Sequence, residues 1–280
     1  MLWIGAPVWQ CKAWLGTWLP NQIHSREFLR HYATVFNAVE GNSTFYALPS
    51  SAQVSRWKDH TPAHFRFCFK LPKAITHESQ LRNCEAALTE FLDRLAPLEE
   101  RLGPMIVQLP PSFGPRNIDL LDRFLGFASK QFRYAVEVRH PKWFERDRQA
   151  LLELLGLHGA EFCVFDTASV HASELSDHST LEAQARKPKA PLRRHALSPF
   201  PTVRFAGSNH LAECVQQLDA WLPSVRTWLE ERRAVHFFCH APDDAYAPEL
   251  VAYFLRALGD RSDVPKLREP DRSVTQLSLF

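Results

Sequence analysis

The chain lacks a CxxC pair and any metal-finger spacing: its six cysteines are scattered at 11, 68, 84, 163, 214 and 239. Cys68, Cys163 and Cys239 fall inside strand-like apolar runs, where a reduced thiol packs as a small hydrophobe. That pattern argues against a disulfide framework and fits a reducing cytoplasm. HxH and HExxH spacings are missing as well, so a local metal-protease signature is excluded. No run approaches the ~18 apolar residues of a membrane span. The opening MLWIGAPVWQCK has no basic n-region, so neither an anchor nor a secretory leader is expected. Charge of one sign is also scarce: 33 Lys and Arg face 31 Asp and Glu, and a net +2 does not demand a polyanionic partner. An internal repeat of fixed period is absent.

What is there suits a folded α/β protein. Of 280 residues 45% are hydrophobic, and eight are tryptophan, which supplies a sizeable core and excludes disorder for the bulk of the chain. Eight short apolar runs stand out at 2–7, 35–39, 65–71, 104–109, 134–138, 161–165, 202–205 and 235–239. Between most of them lie amphipathic stretches with i, i+3, i+4 spacing, most plainly 81–98, 118–127, 146–155, 211–229 and 248–258. Strand–helix alternation implies parallel strands with helices outside. Eight such units predict a single (β/α)8 TIM-type barrel over 1–258, followed by a polar, Pro-punctuated flexible arm over 259–280. The weakest unit follows the sixth strand, with a short helical pattern near 179–186.

In such a barrel, chemistry belongs to the C-terminal strand ends. The fifth run closes on YAVEVRHPKWF (134–144), where period-2 alternation puts Glu137 and Arg139 on one face and His140 on the other. Charges ending an apolar strand are costly unless paired or used, so a structural Glu–Arg pair stands beside the functional reading. Other strands end similarly. The first leads into a loop carrying Trp9, Trp14 and Trp18. The second ends at Glu40, with Asn42, Thr44 and Tyr46 next. The third ends at Lys70, the fourth at Gln108, the sixth at Asp166 and the eighth at His240, and the seventh holds Arg204. Convergence on one mouth gathers these groups. Glu137 or Asp166 is the expected base, with Glu40 and His140 completing the acid–base set. Arg139, Lys70 and Arg204 would hold a phosphate or carboxylate. A divalent metal on His140, Asp166, Glu137 and His240 is the competing use of the same residues; a metal-independent hydrolase, lyase or isomerase is the favoured class. Tyr46, Trp143 and the first-loop tryptophans offer flat faces for a sugar or nucleobase, or else pack on the rim.

Four ordered motifs carry a family resemblance: VEGNSTFYALPS (39–50), KLPKAITH (70–77), GPMIVQLPPSF (103–113) and AVEVRHPKWF (135–144). Together they resemble the YecE-like proteins, domain of unknown function 72, from the first strand to about residue 257. The resemblance implies a TIM-type barrel and no proven reaction. Its recurrent polar positions carry over onto Glu40, Asn42, Thr44, Tyr46, Lys70, Gln108, Glu137, Arg139, His140 and Asp166. Three departures are visible. Gly5-Ala6-Pro7-Val8-Trp9 stands where the family has Gly-Thr-Ser-Gly-Trp, and Ala206 replaces a histidine of Arg-x-His-Gly. Gly41 replaces an apolar residue. Either the substrate differs or catalysis has weakened.

The tail ends in Gln276-Leu277-Ser278-Leu279-Phe280. It is similar to the pentapeptide by which bacterial replication and repair proteins dock on the DNA sliding clamp. A glutamine amide followed by Leu277, Leu279 and Phe280 as apolar anchors gives a weak tether on an exposed arm. Arg186, Lys187, Lys189, Arg193 and Arg194 form a basic segment with Pro188 and Pro191, suited to a nucleic-acid backbone or to a solvated loop. Three functions remain open: a barrel enzyme on a phosphate-bearing or nucleic-acid substrate in DNA repair, a non-catalytic DNA-metabolism adaptor, and a sugar or sugar-phosphate isomerase or hydrolase.

Overall fold

The computed structural model describes residues 1–128 and 130–266. In chain order the elements are β1 (Leu2–Gly5), α1 (Phe28–Val35), β2 (Ala38–Gly41), α2 (Ser51–Asp59), β3 (Arg66–Phe69), α3 (Glu85–Leu95), β4 (Met105–Gln108), α4 (Ile118–Phe127) and β5 (Tyr134–Glu137). Then follow α5 (Arg148–Leu157), β6 (Glu161–Phe162), β7 (Val164–Asp166), α6 (Ala168–Ala172), α7 (His178–Arg186), β8 (Thr202–Ala206), α8 (Leu211–Asp219), α9 (Leu222–Glu230), β9 (Val235–His240) and α10 (Ala247–Leu258). The expected alternation is present. One expected helix is two, because α8 ends at Asp219 with Ala220 as its cap and Pro223 stands in the first turn of α9. The second strand begins later than its apolar run suggests, since Val35 closes α1. The sixth strand breaks at Cys163, whose N–H donates to the Val136 carbonyl (2.9 Å).

All strand pairing is parallel, as the alternation requires. The described strands form three sheets, β1-β9-β8-β7, β2-β3 and β4-β5-β6, and not one uninterrupted ring. Single backbone bonds reach between sheets: Glu40 N–H to Ala6 (3.1 Å) and Leu71 N–H to Ile106 (3.0 Å).

Alternation along these strands decides which residues face which way. Val39, Phe67, Val107 and Phe237 join the main core with the helices, whereas their neighbours Ala38, Cys68, Ile106 and Phe238 make a separate small cluster with Trp3. Burial on both faces is what near-continuous apolar strands of a parallel sheet demand. Counting two residues onward from the small cluster gives Glu40, Lys70, Gln108 and His240. The polar site is therefore the next layer of the same inner face. Beyond α10 the chain still packs: Val264 is buried, and the Asp263 carbonyl accepts from Leu2 N–H (2.8 Å). No helix among the described residues is long and apolar enough to cross a membrane.

Candidate functional site at the C-terminal strand ends

Arg204 is the hub. From β8 it donates Nε and Nη2 to Glu40 Oε2 and Oε1 (2.8 and 2.7 Å) and Nη1 to Glu137 Oε2. Arg139 Nε donates to the other oxygen of Glu137 (2.7 Å), and His240 Nε2 meets Glu40 Oε2 at 2.8 Å. Glu40, Glu137, Arg204 and His240 are 0, 1, 3 and 6% exposed. Such burial is tolerable because each carboxylate oxygen has a charged or imidazole partner. Burial alone would raise both acids. Arg204, then Arg139 and Lys70, instead bring Glu137 down to about 2. Arg204 and His240 likewise hold Glu40 well below the carboxylate range. His240 itself is lowered by burial to about 4, against the pull of Glu40, so it is neutral at pH 7.

Above this network stand two lysines without a carboxylate at ion-pair distance among the described residues. Lys70 Nζ lies 5.1 Å from the Phe45 ring, and Lys187 Nζ lies 5.5 Å from the Phe165 ring. Burial, with Arg204 adding, lowers each to about 8. Phe165 also carries Arg204 at 4.5 Å and Arg139 at 5.5 Å, so one ring serves three cations. Lys187 comes from the basic segment and was not expected here. Its backbone is pinned where the Thr167 hydroxyl donates to the Pro188 carbonyl (2.7 Å) and His171 Nε2 meets the Lys187 carbonyl (3.1 Å). Arg194, from the same segment, lies over the Trp221 ring at 5.4 Å. At the rim, burial and Asp243 raise Asp244 to about 6. The half-buried His77 is lowered by burial and by Arg139.

The remaining expected residues divide. Thr44 donates to the Gly41 and Lys70 carbonyls (3.0 and 2.7 Å) and so ties two strand ends together. Gln108 Oε1 and Asn42 Oδ1 are buried acceptors with no partner among the described residues, while Asn42 Nδ2 donates to Pro7 (3.0 Å). Tyr46 is 81% exposed. Three assignments are corrected by geometry. Asp166 has the parity of Val164, faces the helices, and accepts from Trp221 Nε1 (2.8 Å) and Ala168 N–H (3.0 Å). His140 turns to the opposite face from Glu137; its Nδ1 accepts from Lys142 N–H (3.2 Å), and its ring lies against Gly114. Trp143 is fully buried and gives its indole N–H to the Phe113 carbonyl (2.8 Å). Trp9 packs edge-on against Trp57 (5.5 Å), and Trp14 donates to the Asp244 carbonyl (3.0 Å). The four residues proposed as metal ligands are thus not gathered, and no group of three His, Cys, Asp or Glu among the described residues is placed to hold an ion. Gln276, Leu277, Leu279 and Phe280 lie outside the described residues.

A family model described as "Protein of unknown function DUF72" matches residues 3–274. The chain belongs to the DUF72 family. Its curated relatives include UPF0759 protein YecE of Escherichia coli strain K12 and of O157:H7, each 36% identical over 282 residues and covering all of both chains. Among solved structures, a DUF72 family protein of Enterococcus faecalis V583 superposes with a TM-score of 0.73 at 18% identity, covering 96% of this chain and 100% of that one. One from Thermotoga maritima MSB8 gives 0.69 at 22%, covering 93% and 100%. These structural likenesses concern the fold.

Proposed function

We propose that this DUF72 protein binds a phosphate-bearing ligand at its C-terminal strand ends, with Lys70, Arg139 and Lys187 contacting the anionic group. One observation carries the reading: both buried carboxylates are committed to arginines, while the ammonium groups of Lys70 and Lys187 remain unpaired among the described residues. Four cations therefore face Glu40 and Glu137, with Asp244 at the rim as a third acid, and the positive charge left over suits an anionic group. The unpartnered acceptors Gln108 Oε1 and Asn42 Oδ1 suit hydroxyl or amino donors on the same ligand. A phosphorylated sugar or a nucleotide fits better than bare phosphate on that ground.

Should turnover occur, proton transfer falls to Lys70 or Lys187, with values near 8, or to the rim acid Asp244, at about 6. Glu137, at about 2, is a poor base and acts as an electrostatic partner. That same saturation of the acids supports a second reading, a binding module without turnover. The fold proposal is that the three sheets are arcs of one closed (β/α)8 barrel; the backbone bonds crossing between sheets and the β9–β1 pairing support it. Docking of Gln276–Phe280 on the sliding clamp stays a proposal, tested by clamp pull-down with and without that pentapeptide.

Calorimetry with a panel of sugar phosphates and nucleotides tests the site. Lys187→Met and Arg139→Gln should each weaken the tightest ligand about tenfold or more, the scale of a lost charge-assisted contact. Unchanged affinity in both variants would overturn the assignment.

A further inference from the structure

Phe165 is where cations from distant parts of the chain meet. β7 pairs with β8 in a register that sets Phe165 beside Arg204, and the Arg204 guanidinium lies 4.5 Å from the ring centroid. Arg139, just past the end of β5, approaches the same ring at 5.5 Å, and so does Lys187, just past α7. The His240 ring stands 6.1 Å away. Phe165 is 8% exposed and belongs to a small cluster with Val170 of α6, Ala183 of α7 and Ala206 of β8. Packing by these neighbours fixes the ring independently of the cations.

The cations differ in what else holds them. Arg204 spends Nε, Nη1 and Nη2 on Glu40 and Glu137, and Arg139 spends Nε on Glu137. Lys187 has no carboxylate at ion-pair distance among the described residues. Its backbone ties to Thr167 and His171 bring the residue near without aiming its ammonium group. Repulsion works against that group: after burial, Arg204 and then Arg139 favour loss of its proton, against the pull of Glu40 and Glu137, which leaves it at about 8. The contact that favours its position is the Phe165 ring. An aromatic face attracts a cation through its quadrupole and carries no net charge. It therefore orients Lys187 and Arg139 without neutralising them, as a carboxylate in its place would.

We propose that Phe165 is a positioning residue of the anion site, its ring aiming Lys187 and Arg139 at one anionic group while leaving their charges to that group. This role rests on the binding of a phosphate group at these strand ends and adds to it the residue that arranges the cations. The ring acts through the two side chains and need not touch the ligand.

Calorimetric titration with inorganic phosphate at fixed ionic strength tests this on the full chain. The variants are Phe165→Leu, Phe165→Tyr, Lys187→Met and the double change Phe165→Leu with Lys187→Met, each checked for folding by circular dichroism. Phe165→Leu should weaken phosphate about fivefold, and Phe165→Tyr, which keeps the aromatic face, should stay within about twofold of the parent. In the Lys187→Met background the leucine change should cost a smaller factor, because one of the two cations it acts through is gone. A ring that only packs would cost the same factor in both backgrounds. That result, or a Phe165→Tyr variant as weak as Phe165→Leu, overturns the inference. If Phe165→Leu fails to fold, Phe165→Met fills more of the space without a ring and is read in the same way. Parent affinity in Phe165→Leu beside a tenfold loss in Lys187→Met overturns the positioning role and upholds the anion site. Parent affinity in Lys187→Met and Arg139→Gln alike overturns the site itself, and this role with it.

Discussion

Replacing Arg204 by methionine preserves an extended side chain while removing the charge that joins β8 to β2 and β5. Arg204 is 3% exposed, and its guanidinium makes three bonds to two buried carboxylates. Breaking a buried pair by deleting one member costs on the order of 3–5 kcal/mol, because the other charge is left uncompensated. The electrostatics of the site give a similar scale: Arg204, Arg139 and Lys70 bring Glu137 down to about 2 against an ordinary 4.5. At ~1.4 kcal/mol per pH unit its native interactions amount to roughly 3 kcal/mol. Arg139, Lys70 and His240 retain part of that, so the variant should fold at pH 7 with several kcal/mol less stability. In the parent, the Glu137 contribution is complete above 4.5 and is lost as pH falls through about 2. In the variant, burial raises both acids, which then take up protons in the folded state first, and the deficit relative to the parent shrinks as pH falls from about 7 to about 5. Urea unfolding followed by circular dichroism across that range measures it. A deficit under ~1 kcal/mol at neutral pH, or one that grows on acidification, refutes the reasoning.

Asp166→Ala should lower stability by ~1–3 kcal/mol, because the buried Trp221 N–H loses its acceptor. Ligand affinity at the mouth should stay within about twofold; a tenfold loss in calorimetry would return Asp166 to the site. Buried neutral histidines predict acid sensitivity: unfolded His titrates near 6.5, whereas His240 and His236 resist protonation to about 4 and about 3. Stability should therefore fall as pH drops below 6.5, by up to ~1.4 kcal/mol per pH unit for each, and His236→Phe should flatten the slope in urea melts. Gly5→Ala should cost about 3 kcal/mol or more, since the new Cβ would meet the Ala38 carbonyl at 1.9 Å and the Tyr32 hydroxyl at 2.5 Å. A melting temperature within ~1 °C of the parent would contradict that steric reading.

Much of the site follows from alternation. Period 2 puts Glu137 with Arg139 and turns His140 away, and the Arg139–Glu137 bond has that geometry. Extended to the sixth strand, the same rule separates Asp166 from Phe165. A list of polar strand ends that ignores parity therefore admits one acid too many. Lys187 could not be read so: it reaches the C-terminal strand ends because Pro188, 21 residues past Thr167, is tied back by a hydroxyl. The tryptophans were ambiguous for a similar reason. Trp14 and Trp143 are buried because carbonyls of Asp244 and Phe113 accept their indole protons, and such long-range partners leave no local pattern. The basic segment reads as surface charge in sequence, yet two of its members lie over aromatic rings.

The separation between Arg204 and its two acids has a consequence for synthesis. Glu40 emerges 164 residues and Glu137 67 residues before the cation that neutralises them both. Before β8, among the described residues, Glu137 has only Arg139 at ion-pair distance and Glu40 has no cation there, so the early strands should stay loosely associated until Arg204 arrives, nearly three quarters of the way along the chain. Fragments ending before β8 would then keep their acids in water, and assembly of the inner polar layer becomes a late, all-at-once event in the life of each molecule.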